Sequence, residues 1–196
     1  ICLCPVAKEP DYLYPGPDPP HAGTIQLALA RLQTTDPAQL ATTEKMQRAM
    51  TQIVQKTADN ARAHTQLLAL FDPTHSATPQ MLAQLEPQLV GVTSADYRHL
   101  LADRPAQTLA RVHCPVLAMG GSKDVQVPAS RNLAATASAL KAGGNRDVTT
   151  KELPGLNHLF QTATTGGPAE YGIIEETFAP AALQVIGDWI AQHTRK

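Results

Sequence analysis

Apolar residues along this chain keep a helical spacing through its first half and a strand–helix alternation through its second. From Thr24, Ile25, Leu27, Leu29 and Leu32 begin a helical stretch that stops near Asp36-Pro37. A longer helix is predicted from Ala38 to Asp59, where Met46, Met50, Ile53, Val54 and Thr57 recur at three- and four-residue steps. Leu67, Leu68, Leu70 and Phe71 carry the apolar theme to Asp72-Pro73, and a further short helix is predicted over Pro79 to Leu89. Residues 24–89 therefore read as several helices with no strand among them.

After Gly91 the pattern changes. Tyr97 to Leu101 and Pro105 to Leu109 read as short helical turns. Val116-Leu117-Ala118-Met119 is a brief apolar run with Cys114-Pro115 before it and Gly120-Gly121 after it, which is how a strand buried on both faces reads. The glycine pair is expected to form a tight turn. Pro128 opens a helix whose buried face is Leu133, Ala137 and Leu140 and which stops at Gly143-Gly144. Val148 to Leu153 is a second strand, and Pro180 to His193 a last helix with Leu183, Ile186, Trp189 and Ile190 on one face. Helix, strand, helix, strand, helix is the grammar of a parallel sheet covered on both faces. Residues 114–119 and 148–153 should be adjacent parallel strands, with the helices of residues 24–89 over the strand ends. The fold class is thus α/β, in three parts: an irregular segment 1–23, a helical group 24–89, and 90–196.

Composition narrows the classes of function. Of the 196 residues 43% are hydrophobic, and the net charge of −1 gives no basic excess for nucleic acid. No apolar run approaches the ~18 residues a membrane helix needs. Six of the sixteen prolines fall in the first 23 residues, so residues 7–23 should be loop, after an Ile1–Val6 segment that could end a strand. Three cysteines, Cys2, Cys4 and Cys114, fit neither a disulfide framework nor a zinc site. No metal or cofactor is implied, and the cytoplasm is the compartment expected. The chain begins at Ile1, so a processed or truncated product is expected, with any targeting segment outside it.

Two strand-end loops carry candidate chemistry. Asp124 lies just beyond the first strand, and His158 lies thirty-four residues later in Pro154-Gly155-Leu156-Asn157-His158-Leu159-Phe160. Sites in open α/β sheets are built on such loops. A carboxylate that accepts the imidazole Nδ1–H fixes the tautomer, leaving the other nitrogen as a general base. Asp124 also suits a turn-forming or helix-capping acid before Pro128, and His158 a loop histidine packed beside Leu159 and Phe160. Asn157 should shape the turn. Glu152 and Lys123 read as surface charges, and His113, at the opposite end of the strand, as structural. His21, His64, His75, His99 and His193 have no metal-like spacing and read as surface residues. The Met46, Met50, Ile53 stripe is core, or else an apolar lining suited to acyl or aryl groups. No Gly-x-Ser-x-Gly nucleophile elbow occurs; the nearest strings, Gly121-Ser122-Lys123-Asp124 and Gly91-Val92-Thr93-Ser94-Ala95, do not fit.

From about Tyr97 onward the chain resembles the C-terminal half of a bacterial α/β-hydrolase with an inserted helical cap, in the serine esterase, lipase and S9/S33 peptidase-like group. The resemblance is carried by Cys114-Pro-Val-Leu-Ala, Gly121-Ser-Lys-Asp124-x-x-Val127-Pro128, Leu153-Pro-Gly-Leu-Asn-His158-Leu-Phe-Gln161 and the closing Ile186-x-x-Trp189-Ile190 helix. It covers about half the chain. Residues 24–89 match only in kind, as a cap, and residues 1–23 match poorly. It implies an incomplete α/β-hydrolase fold in which Asp124 is the triad acid and His158 the base, with no nucleophile in this chain. It also implies acyl transfer from small carboxylic esters or peptide-like amides, and little activity from this chain alone. The competing reading is a non-catalytic α/β module for binding. A half-sheet would leave an open edge, which a homodimer or a complementing N-terminal half could cover.

Overall fold

A computed structural model describes residues 33–102 and 105–194. The expected strand end at Ile1–Val6, the loop of 7–23 and the helical stretch begun by Ile25 lie outside the described residues, as do Cys2, Cys4 and His21.

The first part is helical throughout. Its elements are α1 (Pro37–Lys56), α2 (Asn60–Phe71), α3 (Pro79–Thr93) and α4 (Ala95–Ala102). Each long helix starts on a side chain that accepts from the first turn. Asp36 accepts from the Ala38 N–H, Asp59 from Arg62 and Thr78 from Met81, satisfying donors that have no partner inside the helix. Met50, Val54, Leu67, Leu89 and Leu101 form one buried cluster, with Ile53, Leu68, Leu70, Phe71, Leu85, Val92 and Tyr97 packed around it. The Met50–Ile53 stripe is thus core, not the lining of a cavity. His64 is not a free surface residue either: its Nε2 meets the Glu86 carboxylate at 2.9 Å and ties α2 to α3.

The third predicted helix was expected to stop at Leu89, yet α3 runs on to Thr93 through both Pro87 and Gly91. Neither residue breaks it, because Leu89 and Thr93 are buried on the face that packs inward. Leu101 of α4 belongs to the same apolar cluster, so the helical packing continues past residue 89.

The second part alternates. It comprises α5 (Pro105–Leu109), β1 (Val116–Gly121), α6 (Ala129–Ala142), β2 (Val148–Leu153), a single 3-10 turn at Pro168–Glu170 and α7 (Pro180–Thr194). The two strands pair in parallel over their whole length, Val116 opposite Val148 through to Gly121 opposite Leu153. Strand periodicity sorts their side chains between two faces. Val116 and Val148 pack with Leu109, Ala139 and Leu140, which places α5 and α6 on one face. Met119 and Leu153 pack with Ala179 and Ala182, which places α7 on the other. The result is a mixed α/β arrangement, a small parallel sheet flanked by helices.

Two details differ from the sequence pattern. Gly120 and Gly121 are not a turn but the last two residues of β1. A Cβ on Gly121 would stand 2.1 Å from the Leu156 carbonyl oxygen, so the glycine is there to let the loop after β2 lie directly against β1. On α7, Leu183 is 55% exposed, while Ala182 and Trp189 are buried. The small Ala182 brings the helix close to the sheet, and the apolar face is rotated from the one expected. Asn145, unremarked in the sequence, is buried and pins the two strand entrances together. Its Nδ2 donates to the Val112 and Cys114 carbonyls, and its Oδ1 accepts from the Asp147 N–H.

Candidate functional site

The loops that leave the ends of β1 and β2 meet. Ser122 N–H donates to the Leu153 carbonyl and Lys123 N–H to that of Leu156, so the two loops are joined by main chain before any side chain is considered. The Ser122 hydroxyl accepts from the Gly155 N–H at 2.8 Å. Lys123, expected to be a surface charge, turns inward, and its Nζ donates to the carbonyls of Ala163 and Thr164 at 2.7 Å each. Gly166 completes this junction. Its φ is +79°, and a Cβ there would lie 1.9 Å from the Lys123 carbonyl oxygen.

Asp124 is buried at the turn, and its two oxygens have separate tasks. Oδ1 accepts from the backbone N–H groups of Gln126 and Val127 at 2.9 and 2.8 Å. Oδ2 faces His158 Nδ1 at 2.9 Å. The two readings open to this residue in the sequence, turn-forming acid and partner of the histidine, are therefore both present in one side chain. Its orientation is fixed by backbone contacts that do not involve the imidazole.

His158 is held as firmly from its own side. Asn157 is wholly buried, and its Oδ1 accepts from the Leu159 and Gln161 N–H groups while its Nδ2 donates to Gln161 Oε1. The loop closes with Phe160 at φ +58°, uncommon for an aromatic residue. That conformation is held by the Ala179 N–H, which donates to the Phe160 carbonyl, and by Phe178, stacked on the Phe160 ring at 5.2 Å. Asn157 is thus a turn-shaping residue, as the sequence suggested.

A carboxylate only accepts hydrogen bonds, so His158 Nδ1 carries the proton and Nε2 holds the free lone pair of the neutral ring. The hydrogen bond donated to Asp124 raises the His158 pKa above its ordinary value, burial opposes this, and the Asp124 charge adds to the rise. The side chain remains 18% exposed, so the pair is not sealed from solvent. Such a pair can take up and return a proton near neutral pH.

The segment after the histidine loop is folded by polar contacts that the sequence did not reveal. Glu170 accepts from the N–H groups of Thr164, Thr165 and Gly166 and from the Thr165 hydroxyl, and these bonds lower its pKa. Glu176 accepts from the Thr162 N–H, and its carbonyl from Gln161 Nε2. Gln126, beside Asp124, donates to the Tyr171 hydroxyl at 2.7 Å. Burial raises the Tyr171 pKa. The Glu170 contacts span only four to six residues, whereas those of Glu176 and of Gln126 with Tyr171 join more distant stretches.

The remaining candidates stay outside this site. Glu152, His113 and His75 are exposed, as is Cys114. Among the described residues no three His, Cys, Asp or Glu side chains cluster as a metal site would require. No helix among them is long and apolar enough to cross a membrane. Neither a scan against protein-family models nor searches among curated proteins and solved structures returned a match to this chain.

Proposed function

We propose that this chain is the C-terminal portion of a serine α/β-hydrolase, in which Asp124 orients His158 as the general base. The observation that carries the reading is the Asp124–His158 hydrogen bond of 2.9 Å, made by a carboxylate whose other oxygen is already locked to backbone. In the reaction, His158 Nε2 takes the proton of a serine hydroxyl as its oxygen attacks an ester or peptide-like amide carbonyl. The imidazolium gives that proton to the departing alcohol or amine. Water then repeats the sequence on the acyl-enzyme, and the acid is released. Asp124 keeps the productive tautomer and stabilises the imidazolium throughout.

These 196 residues hold no Gly-x-Ser-x-Gly string, so in this reading the serine is supplied from outside them. Ser122, nearest the pair in sequence, has its hydroxyl engaged by the Gly155 N–H. We assign the nucleophile and the oxyanion hole to residues encoded before Ile1, or to a complementing N-terminal half, and the helical group to a cap. The substrate class is small carboxylic esters or peptide-like amides.

The test is the protein that includes the segment encoded before Ile1. A fluorophosphonate should label one serine in that segment, and His158→Ala should abolish labelling and ester turnover. Without an upstream nucleophile elbow and without labelling, the strand-end loops are instead the scaffold of a non-catalytic binding module.

A further inference from the structure

A second histidine is held in a way that requires two protons. At the end of α7, His193 Nδ1 faces the Trp189 carbonyl oxygen at 2.8 Å, and its Nε2 faces Asp147 Oδ1 at 3.1 Å. A carbonyl and a carboxylate are both acceptors only. The neutral ring can donate to one of them and must then set a lone pair against the other. Only the imidazolium satisfies both.

The surroundings favour that charge. The ring stacks on Trp189 with centroids 4.1 Å apart, and the indole face attracts a cation. The last turn of a helix presents the negative end of its dipole, where a protonated histidine is stabilised. Trp189 is fixed in turn by its Nε1, which donates to the Thr149 hydroxyl of β2. The charged groups packed near this point are few. Asp147 faces the ring from the entrance of β2, while Arg146 and Lys151 on the same strand side are exposed and have no part in the ring's shift. Asp188 on α7 is engaged by Gln184 Nε2. Arg195 and Lys196 lie outside the described residues.

We propose that His193, Trp189 and Asp147 form a pH-controlled clasp that fastens the C-terminal end of α7 to the start of β2, closed when the imidazole is protonated and loosened when it is neutral. The Trp189 carbonyl and Asp147 both raise the His193 pKa above its ordinary value, with desolvation opposing them. The stabilisation is fully present below the unfolded-chain value of about 6.5 and is lost as pH rises through the higher folded value. The other end of α7 is tied by main chain to the His158 loop, through the Ala179 N–H and the Phe160 carbonyl. Opening the clasp therefore frees one end of the helix and leaves the other docked.

Trp189 is the only tryptophan in the sequence, and a stacked imidazolium quenches indole emission, so the clasp carries its own reporter. Emission of this chain should rise as pH is raised, in one step with a midpoint above 6.5. His193→Gln should remove the step. Asp147→Asn should move it toward about 6.5, the ordinary histidine value. In the same titration, hydrogen-exchange protection of the amides after Trp189 should fall, relative to the intrinsic rate, as emission rises. The histidine ring-proton titration of the unaltered chain supplies the midpoint should His193→Gln fail to fold. A pH-independent emission, a step that survives His193→Gln, or a His193 midpoint at or below 6.5 would overturn the clasp.

Discussion

The helices of residues 37–102 and the strand-and-loop region of residues 105–194 are held together by different physics. The first has one apolar cluster, Met50, Val54, Leu67, Leu89 and Leu101, with helix caps at its margins. Its contacts are non-directional, and they come from residues whose spacing shows in the sequence. The second has smaller apolar clusters on either face of a two-stranded sheet. Its order at the strand ends comes from directional contacts: Asp124 on two backbone N–H groups, Asn157 inside the histidine loop, Lys123 on two carbonyls, Glu170 on a turn. Apolar packing suffices to build a layer. Placing one imidazole nitrogen to within a few tenths of an ångström takes fixed hydrogen bonds, and they are concentrated where the candidate chemistry stands.

That contrast can be broken from either side. The largest effect is expected from Leu67→Ala, which removes a fully buried side chain from the helical cluster. A loss of about 2–5 kcal/mol is expected in denaturant unfolding followed by helical signal. Below the unfolding transition, the His158 ring-proton resonance should keep its titration midpoint. A shift of that midpoint would show that the two regions share more than a chain.

Asn157→Ala should act in the opposite sense. It strips the acceptor from the Leu159 and Gln161 N–H groups in a buried loop, at a cost of about 1–3 kcal/mol. Its mark should be on His158, whose titration midpoint should fall toward the ordinary value as the ring loses its register with Asp124. Hydrogen exchange in α2 should be unchanged. The smallest effect is expected from Asp59→Ala, which removes the α2 cap at a cost of about 1 kcal/mol and should show in the exchange of the first-turn amides alone.

The same division explains what could be read from the sequence. Both strands were legible, because a short apolar run before a glycine pair and a β-branched run need no partner to be recognised. The Met50 and Val54 stripe was legible by its helical period. Gly120-Gly121 misled, because a glycine that permits a turn and one that permits close approach of another backbone are the same residue. Gly91 misled in the same way: the change of pattern there argued for a helix end, and burial of Leu89 and Thr93 overrode it. Leu183 was placed inward by its spacing with Ile186, Trp189 and Ile190, whereas the close packing of α7 required the smaller Ala182. Asp124 and His158 could be chosen from their positions after the strands. The roles of Lys123, Gln126 and Tyr171 could not, since each partner comes from a distant stretch that only folding brings near.

The account rests on Asp124 orienting His158 through Nδ1, and a histidine titration by two-dimensional NMR measures this directly. In the unaltered chain the His158 midpoint should lie above about 6.5, with the Nδ1–H tautomer in the neutral ring. Because the folded value is raised, the pair's contribution to stability should be complete below that pH and should fade as pH rises through the folded midpoint. Asp124→Asn should bring the midpoint down and weaken the tautomer preference, while β1 and β2 stay paired. A His158 midpoint at or below 6.5, or one that Asp124→Asn leaves in place, would contradict the assignment of this pair as an oriented base.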